Sequence, residues 1–283
     1  MVKMGDVWDR ALEFLGDHLG VLMPLVLLGM FVPTTISGSL QELQATGGPG
    51  LKLALGIMTL AFGILSLWTQ LAIVALAVDP ALGRRATGVA TARLLPAMGV
   101  YVLLGIAAFV LVLPAIILLA AGGFDFAAAQ AGQMGATKLS AGYGLAIFLY
   151  MLVVVAAILG LGARLAPVTA VIVAERRGAG AIGRAFALTR GLTWRLIGVV
   201  VLYAVVTLVA VLAAQTVFGS ILGLVAGGDG PITVARVITA IVVAAVSTGF
   251  SVIAAAFCAK LYVAILRARE SAMPSPESIA RPS

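Results

Sequence analysis

Six long apolar runs decide what this chain can fold into. They cover roughly 19–40, 53–78, 97–121, 143–174, 195–226 and 232–266 of the 283 residues, with short polar stretches between them. Crossing a bilayer core takes roughly 20 residues of α-helix. Backbone polar groups in lipid must be satisfied within their own segment, so runs of this length fold as helices. A membrane β-barrel would instead show alternating segments of about ten residues, and none occurs. Only 10% of the residues are charged, against about 25% in soluble domains, too few to cover a water-facing surface. The expected fold class is all-α: a polytopic membrane helix bundle with six transmembrane helices and interfacial amphipathic helices.

Charge placement sets the expected orientation. Residues 1–18, 79–96, 175–195 and the end from Lys260 carry 14 of the 18 Lys and Arg. The other side carries Lys52, Lys138 and Arg236, and Arg164 lies within an apolar run. The positive-inside rule puts the basic side, with both termini, in the cytoplasm. Abundant alanine and the preference for arginine over lysine suggest a GC-rich bacterium, hence a multi-pass protein of the bacterial cytoplasmic (inner) membrane. The net charge of +7 is explained by topology and anionic lipid headgroups, so no nucleic-acid partner is expected. The acids Asp6, Asp9, Glu13 and Asp17 precede the first apolar run, unlike the basic start of a cleaved signal peptide.

The chain divides into an interfacial amphipathic helix (1–18), a six-helix transmembrane domain (19–270) and a disordered cytoplasmic tail (271–283), polar and proline-bearing. In the first segment Met4, Val7, Trp8, Ala11, Leu12, Leu15 and Leu19 recur at three- and four-residue spacing. Its charge of −2 suits the basic loops at Arg84–Arg85 or Arg176–Arg177 better than anionic lipid. Stretches 84–96 and 177–194 are read as similar interfacial leaders, each followed by an apolar hairpin. Residues 41–51 and 227–231 read as turns, and 122–142 as a loop able to form a short surface helix. Pro24, Pro33, Pro114 and Pro167 are candidate kink sites.

Chemistry is sparse. His18 and Cys258 are each the only residue of their type, so neither a disulfide nor a metal site is expected, and no cofactor. Paired carboxylates within spans, a phosphate loop and a hydrolase base are all missing; the glycine-bearing GLGAR and GAGAIG lack a strand context. An enzyme is not expected. Arg164 stands out, ten positions before Ala174 and roughly 15 Å along an unbroken helix. A charge at that depth is costly and should face the bundle interior. Gln70, Gln215, backbone carbonyls, water or Asp79 are its available partners. It is either the anchor of an anion or lipid-phosphate site or a structural clamp. Ala156, Gly160 and Gly162 on the same run suit close helix approach. Thr69, Gln70, Ser247, Thr248 and Ser251 suit interhelical hydrogen bonds. Arg190, Trp194 and Arg195 form an interfacial anchor; joined by Arg184, the arginines could bind phosphate.

Two stretches carry a family likeness. The first runs from Arg164 through Ala166, Pro167 and Glu175 to Leu188, Thr189, Gly191, Trp194 and Arg195; the second is LYVAILRARE at 261–270, with Tyr262, Arg267, Arg269 and Glu270. Together they resemble the membrane domain found with glycerophosphoryl diester phosphodiesterases and its stand-alone bacterial relatives. Phe186 and Ala187 stand where the family has Ser-Trp, and the final stretch lacks the family's Asp. The resemblance implies a six-helix integral membrane protein, and it puts weight on Arg164, Glu175 and Arg195. The soluble phosphodiesterase barrel is absent, so no diesterase activity carries over. The expected function is that of a non-enzymatic scaffold or accessory component, with membrane lipids, a membrane-protein partner or a second copy as partners. The alternative is a carrier or lipid-handling protein with an anion or phospholipid site around Arg164, Gln70, Glu175, Arg190, Trp194 and Arg195.

Overall fold

A computed structural model describes residues 3–130, 140–226 and 233–271. The elements are α1 (Met4–Asp17), α2 (Leu19–Val26), a π-helical turn (Leu27–Phe31), α3 (Val32–Ser39), α4 (Gln41–Thr46), α5 (Pro49–Val78), a 3₁₀ turn (Pro80–Arg85), α6 (Ala86–Ala121), α7 (Phe126–Gln130), α8 (Ala141–Leu165), α9 (Val168–Ala174), α10 (Gly180–Leu188), α11 (Thr193–Ala226) and α12 (Val234–Glu270). No strand occurs among the described residues. Six helical stretches are long and apolar enough to cross a membrane. α7 is the short helix anticipated within 122–142. The turn at 227–231 and the tail beyond Ser271 lie outside the described residues.

α5 is the central strut. In its most apolar 18-residue window 44% of residues are buried, against 6% in the spans built on α6, α8 and α11. Leu28, Leu60, Leu152, Val209 and Leu224 stand exposed around the periphery, as a lipid-facing belt requires. The buried core gathers toward the arginine-rich end, where Leu71–Ala77 of α5 meets Ala90 and Val100 of α6, Ala170–Ile172 of α9, and Ala255–Ile265 of α12.

Proline shapes two of the spans and is accommodated in a third. Pro33 has no N–H to donate to the Gly29 carbonyl four residues back. The Ser66 hydroxyl of α5 donates to that carbonyl instead, at 3.1 Å, and the helix widens there into the π-turn. Gly29 is buried directly on Thr69, leaving no room for a Cβ. Pro167 ends α8, and the expected 143–174 span becomes a 25-residue helix followed by the short, buried α9. Pro96 and Pro114 lie inside an unbroken α6. The 84–96 leader is therefore not a separate interfacial helix, since Ala86 onward is the first part of that span.

α1 is the amphipathic helix expected, with a different seat. Val7, Ala11 and Phe14 are buried, Trp8 meets Phe257 of α12 and Tyr203 of α11, and Lys260 sits over the Phe14 ring at 4.7 Å. Among the described residues no ion pair joins its acids to Arg84–Arg85 or Arg176–Arg177. Burial of the apolar face outweighs exposed ion pairs, which are worth only about 0–1 kcal/mol.

Several polar residues also differ from expectation. Ser251 and Thr69 donate to carbonyls four residues back, and Ser247 to one three residues back. Their short hydroxyls reach their own helix before a neighbour. The buried Thr248 hydroxyl has no partner among the described residues. A Cβ placed on Gly160 or Gly162 would meet nothing within 4 Å, so that small-residue row makes no tight crossing among the described residues.

Candidate functional site

Glu175 is the centre of a polar cluster that joins three helices. It follows the last residue of α9, and its N–H completes the helix by donating to Val171 at 2.9 Å. The next residue, Arg176, has a left-handed backbone with φ of 55°. That conformation commonly ends a helix, usually on glycine. It turns the chain back, so that Arg177 Nε lies 3.2 Å from Glu175 Oε2. From α10, Arg184 Nε donates to both carboxylate oxygens, at 3.0 and 3.1 Å. From α12, the Tyr262 hydroxyl donates to Oε1 at 3.2 Å. The Glu175 side chain is only 17% exposed, against 55% for Arg177. The Arg184 pair, with Arg184 34% exposed, is therefore the stronger of the two ion pairs.

The other end of α10 is tied as well. Arg269 Nη2 of α12 donates to the Ala187 carbonyl at 2.7 Å and to Leu188 at 3.3 Å. A guanidinium there supplies donors to the last carbonyls of the helix and complements its dipole. The buried Thr189 hydroxyl bonds Ala185 at 2.9 Å and reaches the Arg164 carbonyl at 3.3 Å. That carbonyl belongs to the last turn of α8, where Pro167 has ended the ladder, so Thr189 supplies a donor the break removed.

No protein-family model, curated protein or solved structure matches the chain.

The six residues singled out from sequence separate into three situations. Glu175 is the hub. Arg164 does not face the interior: it is exposed in the last turn of α8, with its guanidinium 5.6 Å from the centre of the Phe186 ring. The expectation of a deep charge assumed one unbroken helix to Ala174. With the helix ended before Pro167, Arg164 sits at a C-terminus, where a cation is favourable. Arg190 and Arg195 are exposed, as is Trp194 at 86%. Among the described residues Arg164, Arg190 and Arg195 form no ion pair. Through Thr189, the residue before Arg190, the start of the 190–195 stretch is tied to the end of α8 beside Arg164. Arg184 is engaged by Glu175 and does not join them. Gln70 is half-buried on α5 and forms no hydrogen bond with Arg164. Gln215 lies far from Arg164, in a groove at the opposite end of the molecule.

Arg184 and Tyr262 are the partners that sequence reading did not assign. Glu175 and Tyr262 stand 87 residues apart, one in each of the two stretches singled out from sequence. Chemically the cluster is a tie. Its carboxylate is held by two guanidinium groups and a phenol, and it fastens α9, α10 and α12 to one another.

Proposed function

We propose that this chain is a non-enzymatic integral protein of a bacterial cytoplasmic membrane, acting as a scaffold or accessory component. Its arginine-rich end and both termini face the cytoplasm, where the rim of Arg164, Arg190, Trp194 and Arg195 lies against anionic phospholipid headgroups. The observation that carries this reading is the division of labour at the basic end. Glu175 is consumed by Arg184, Arg177 and Tyr262, and the cations left over point outward beside an exposed tryptophan. That is how an interfacial anchor is arranged. An exposed Arg164 over Phe186 favours anchoring over a carrier site in a wet interior cavity. The likeness to the phosphodiesterase-associated membrane domain, carried by the stretches around Glu175 and Tyr262, agrees with an integral membrane protein.

Native mass spectrometry of the protein, extracted gently from its own membrane, tests the proposal. A stoichiometric second polypeptide, retained when Arg164→Gln is introduced, is the expected result. A lone protein holding one defined anionic phospholipid that is lost in Arg164→Gln would overturn it in favour of lipid handling.

A further inference from the structure

α1 lies along the last turns of α12, and the seam between them opens into a cleft of about 230 Å³. Ala264 and Ala268, one turn apart on α12, present only methyl groups to it. Lys3 and Arg10 of α1 and Arg267 of α12 line it, with Asp6 as its one acid. Among the described residues none of these four forms an ion pair. The cleft therefore brings together three cations, from the first helix and the last, that the fold does not use to hold itself together.

Size and charge limit what fits. Sites for whole small molecules measure roughly 300–1,000 Å³, so this cleft suits a headgroup. Lys3, Arg10 and Arg267 against Asp6 leave a formal charge of +2. Farther along the seam, Lys260 of α12 feels Glu13 of α1 as well as Arg10 and Arg267. That ammonium and that carboxylate offset each other, so the +2 stands. A phosphate diester or a carboxylate brings a single negative charge, whereas a phosphate monoester brings about −1.5 to −2 at neutral pH. Two guanidinium groups reaching in from different helices offer planar forks of N–H donors, a geometry that matches phosphate oxygens. α1 also starts here without a side-chain cap on its first-turn N–H groups, and that end of a helix adds partial positive charge.

We propose that the α1–α12 cleft binds the phosphate group of a phosphate monoester, held between Arg10 and Arg267 with Lys3 beside it. The site is separate from the rim of Arg164, Arg190 and Arg195. It rests neither on which end faces the cytoplasm nor on the scaffold reading.

The test is titration of the delipidated full-length protein by native mass spectrometry. Its arms are phosphatidic acid and glycerol 3-phosphate, both monoesters, and phosphatidylglycerol, a diester. The wild type should bind one phosphatidic acid about tenfold more tightly than phosphatidylglycerol, and Arg10→Gln and Arg267→Gln should each weaken that binding about tenfold, the size of one charge-assisted hydrogen bond. Asp6→Asn should tighten it about two- to fivefold by removing a like charge, a gain that a damaged fold cannot produce. Glycerol 3-phosphate bound as tightly as the lipid supports the site with a soluble ligand, and uptake of phosphatidic acid alone supports it with a membrane one. Equal affinity for monoester and diester lipids overturns the proposal, as does undiminished binding in Arg10→Gln and Arg267→Gln. An equal loss in Arg85→Gln, outside the cleft, would reduce the effect to net positive charge and overturn it. So would a loss in Arg164→Gln that Arg10→Gln does not share, which would move the phosphate to the rim.

Discussion

Replacing Glu175 by glutamine asks how much the tie at the basic end holds together. Glutamine retains a carbonyl oxygen for the Tyr262 hydroxyl but gives up both charge pairings. The Arg184 pair is part-buried and joins both carboxylate oxygens, so its loss costs about 1–2 kcal/mol. The Arg177 pair is exposed and adds about 0–1 kcal/mol. Glu175→Gln should therefore destabilise by about 2 kcal/mol. Glu175→Ala, which also strands Tyr262, should cost about 3 kcal/mol. Reversible unfolding in mixed micelles of dodecyl maltoside and dodecyl sulfate gives these values. A double-mutant cycle with Arg184→Gln should return a coupling of about 1–2 kcal/mol, and the cycle with Arg177→Gln about 0.5 kcal/mol or less. Stability of Glu175→Gln within about 0.5 kcal/mol of wild type, or a larger coupling to Arg177 than to Arg184, would refute the reasoning.

Gly29→Ala should destabilise by about 1–3 kcal/mol through overpacking on Thr69, and adding Thr69→Ala should recover much of the loss in the same assay; no recovery would mean that the strain lies elsewhere. Thr189→Val should cost about 1–2 kcal/mol by leaving the end of α8 without its donor, whereas Thr216→Val, whose hydroxyl bonds only within α11, should be close to neutral. Arg176→Gly should stabilise by up to about 1 kcal/mol, since glycine adopts the left-handed conformation without strain, and a loss of stability would assign Arg176 a contact of its own. In a Cys258→Ala background, Asp6→Cys with Ser271→Cys should crosslink readily through a short bismaleimide, because both line one groove between α1 and α12, while Glu13→Cys with Arg85→Cys should not.

The six helices were legible because lipid imposes one rule on every residue of a span, so hydropathy alone marks them. What could not be read was where a helix stops inside an apolar run. Pro167 and Pro114 look alike in sequence, yet only Pro167 ends its helix. At Pro167 the Thr189 hydroxyl reaches the carbonyl of Arg164, whereas at Pro114 the Tyr150 hydroxyl donates to Leu111 within a helix that continues. That single break carried Arg164 from an expected interior position to a surface one and changed its chemistry. Glu175 was visible as the lone acid in a cationic stretch. Tyr262 was not, because a tyrosine 87 residues away has no local pattern linking it to a carboxylate. The seat of α1 was misread for a related reason. Its charge was counted, while the decisive quantity was the apolar face that Val7, Ala11 and Phe14 bury against α12.

α12 is where the molecule closes. It packs on α1, α3, α5, α9 and α11, and it supplies Tyr262 and Arg269 to the basic end and Arg236 to the other. It is also the last of the six apolar runs to be made. A ribosome working from the N-terminus releases the first helix well before the surface it must rest on exists. Until the final segment emerges, Val7 and Phe14 lack α12 to cover them, Trp8 has only Tyr203 of α11, Glu175 lacks one of its ligands, and Glu42 lacks Arg236. Biogenesis therefore ends in a single closing step, and a chain truncated before about residue 255 should leave the membrane inserter as an open set of hairpins, a ready substrate for membrane proteases.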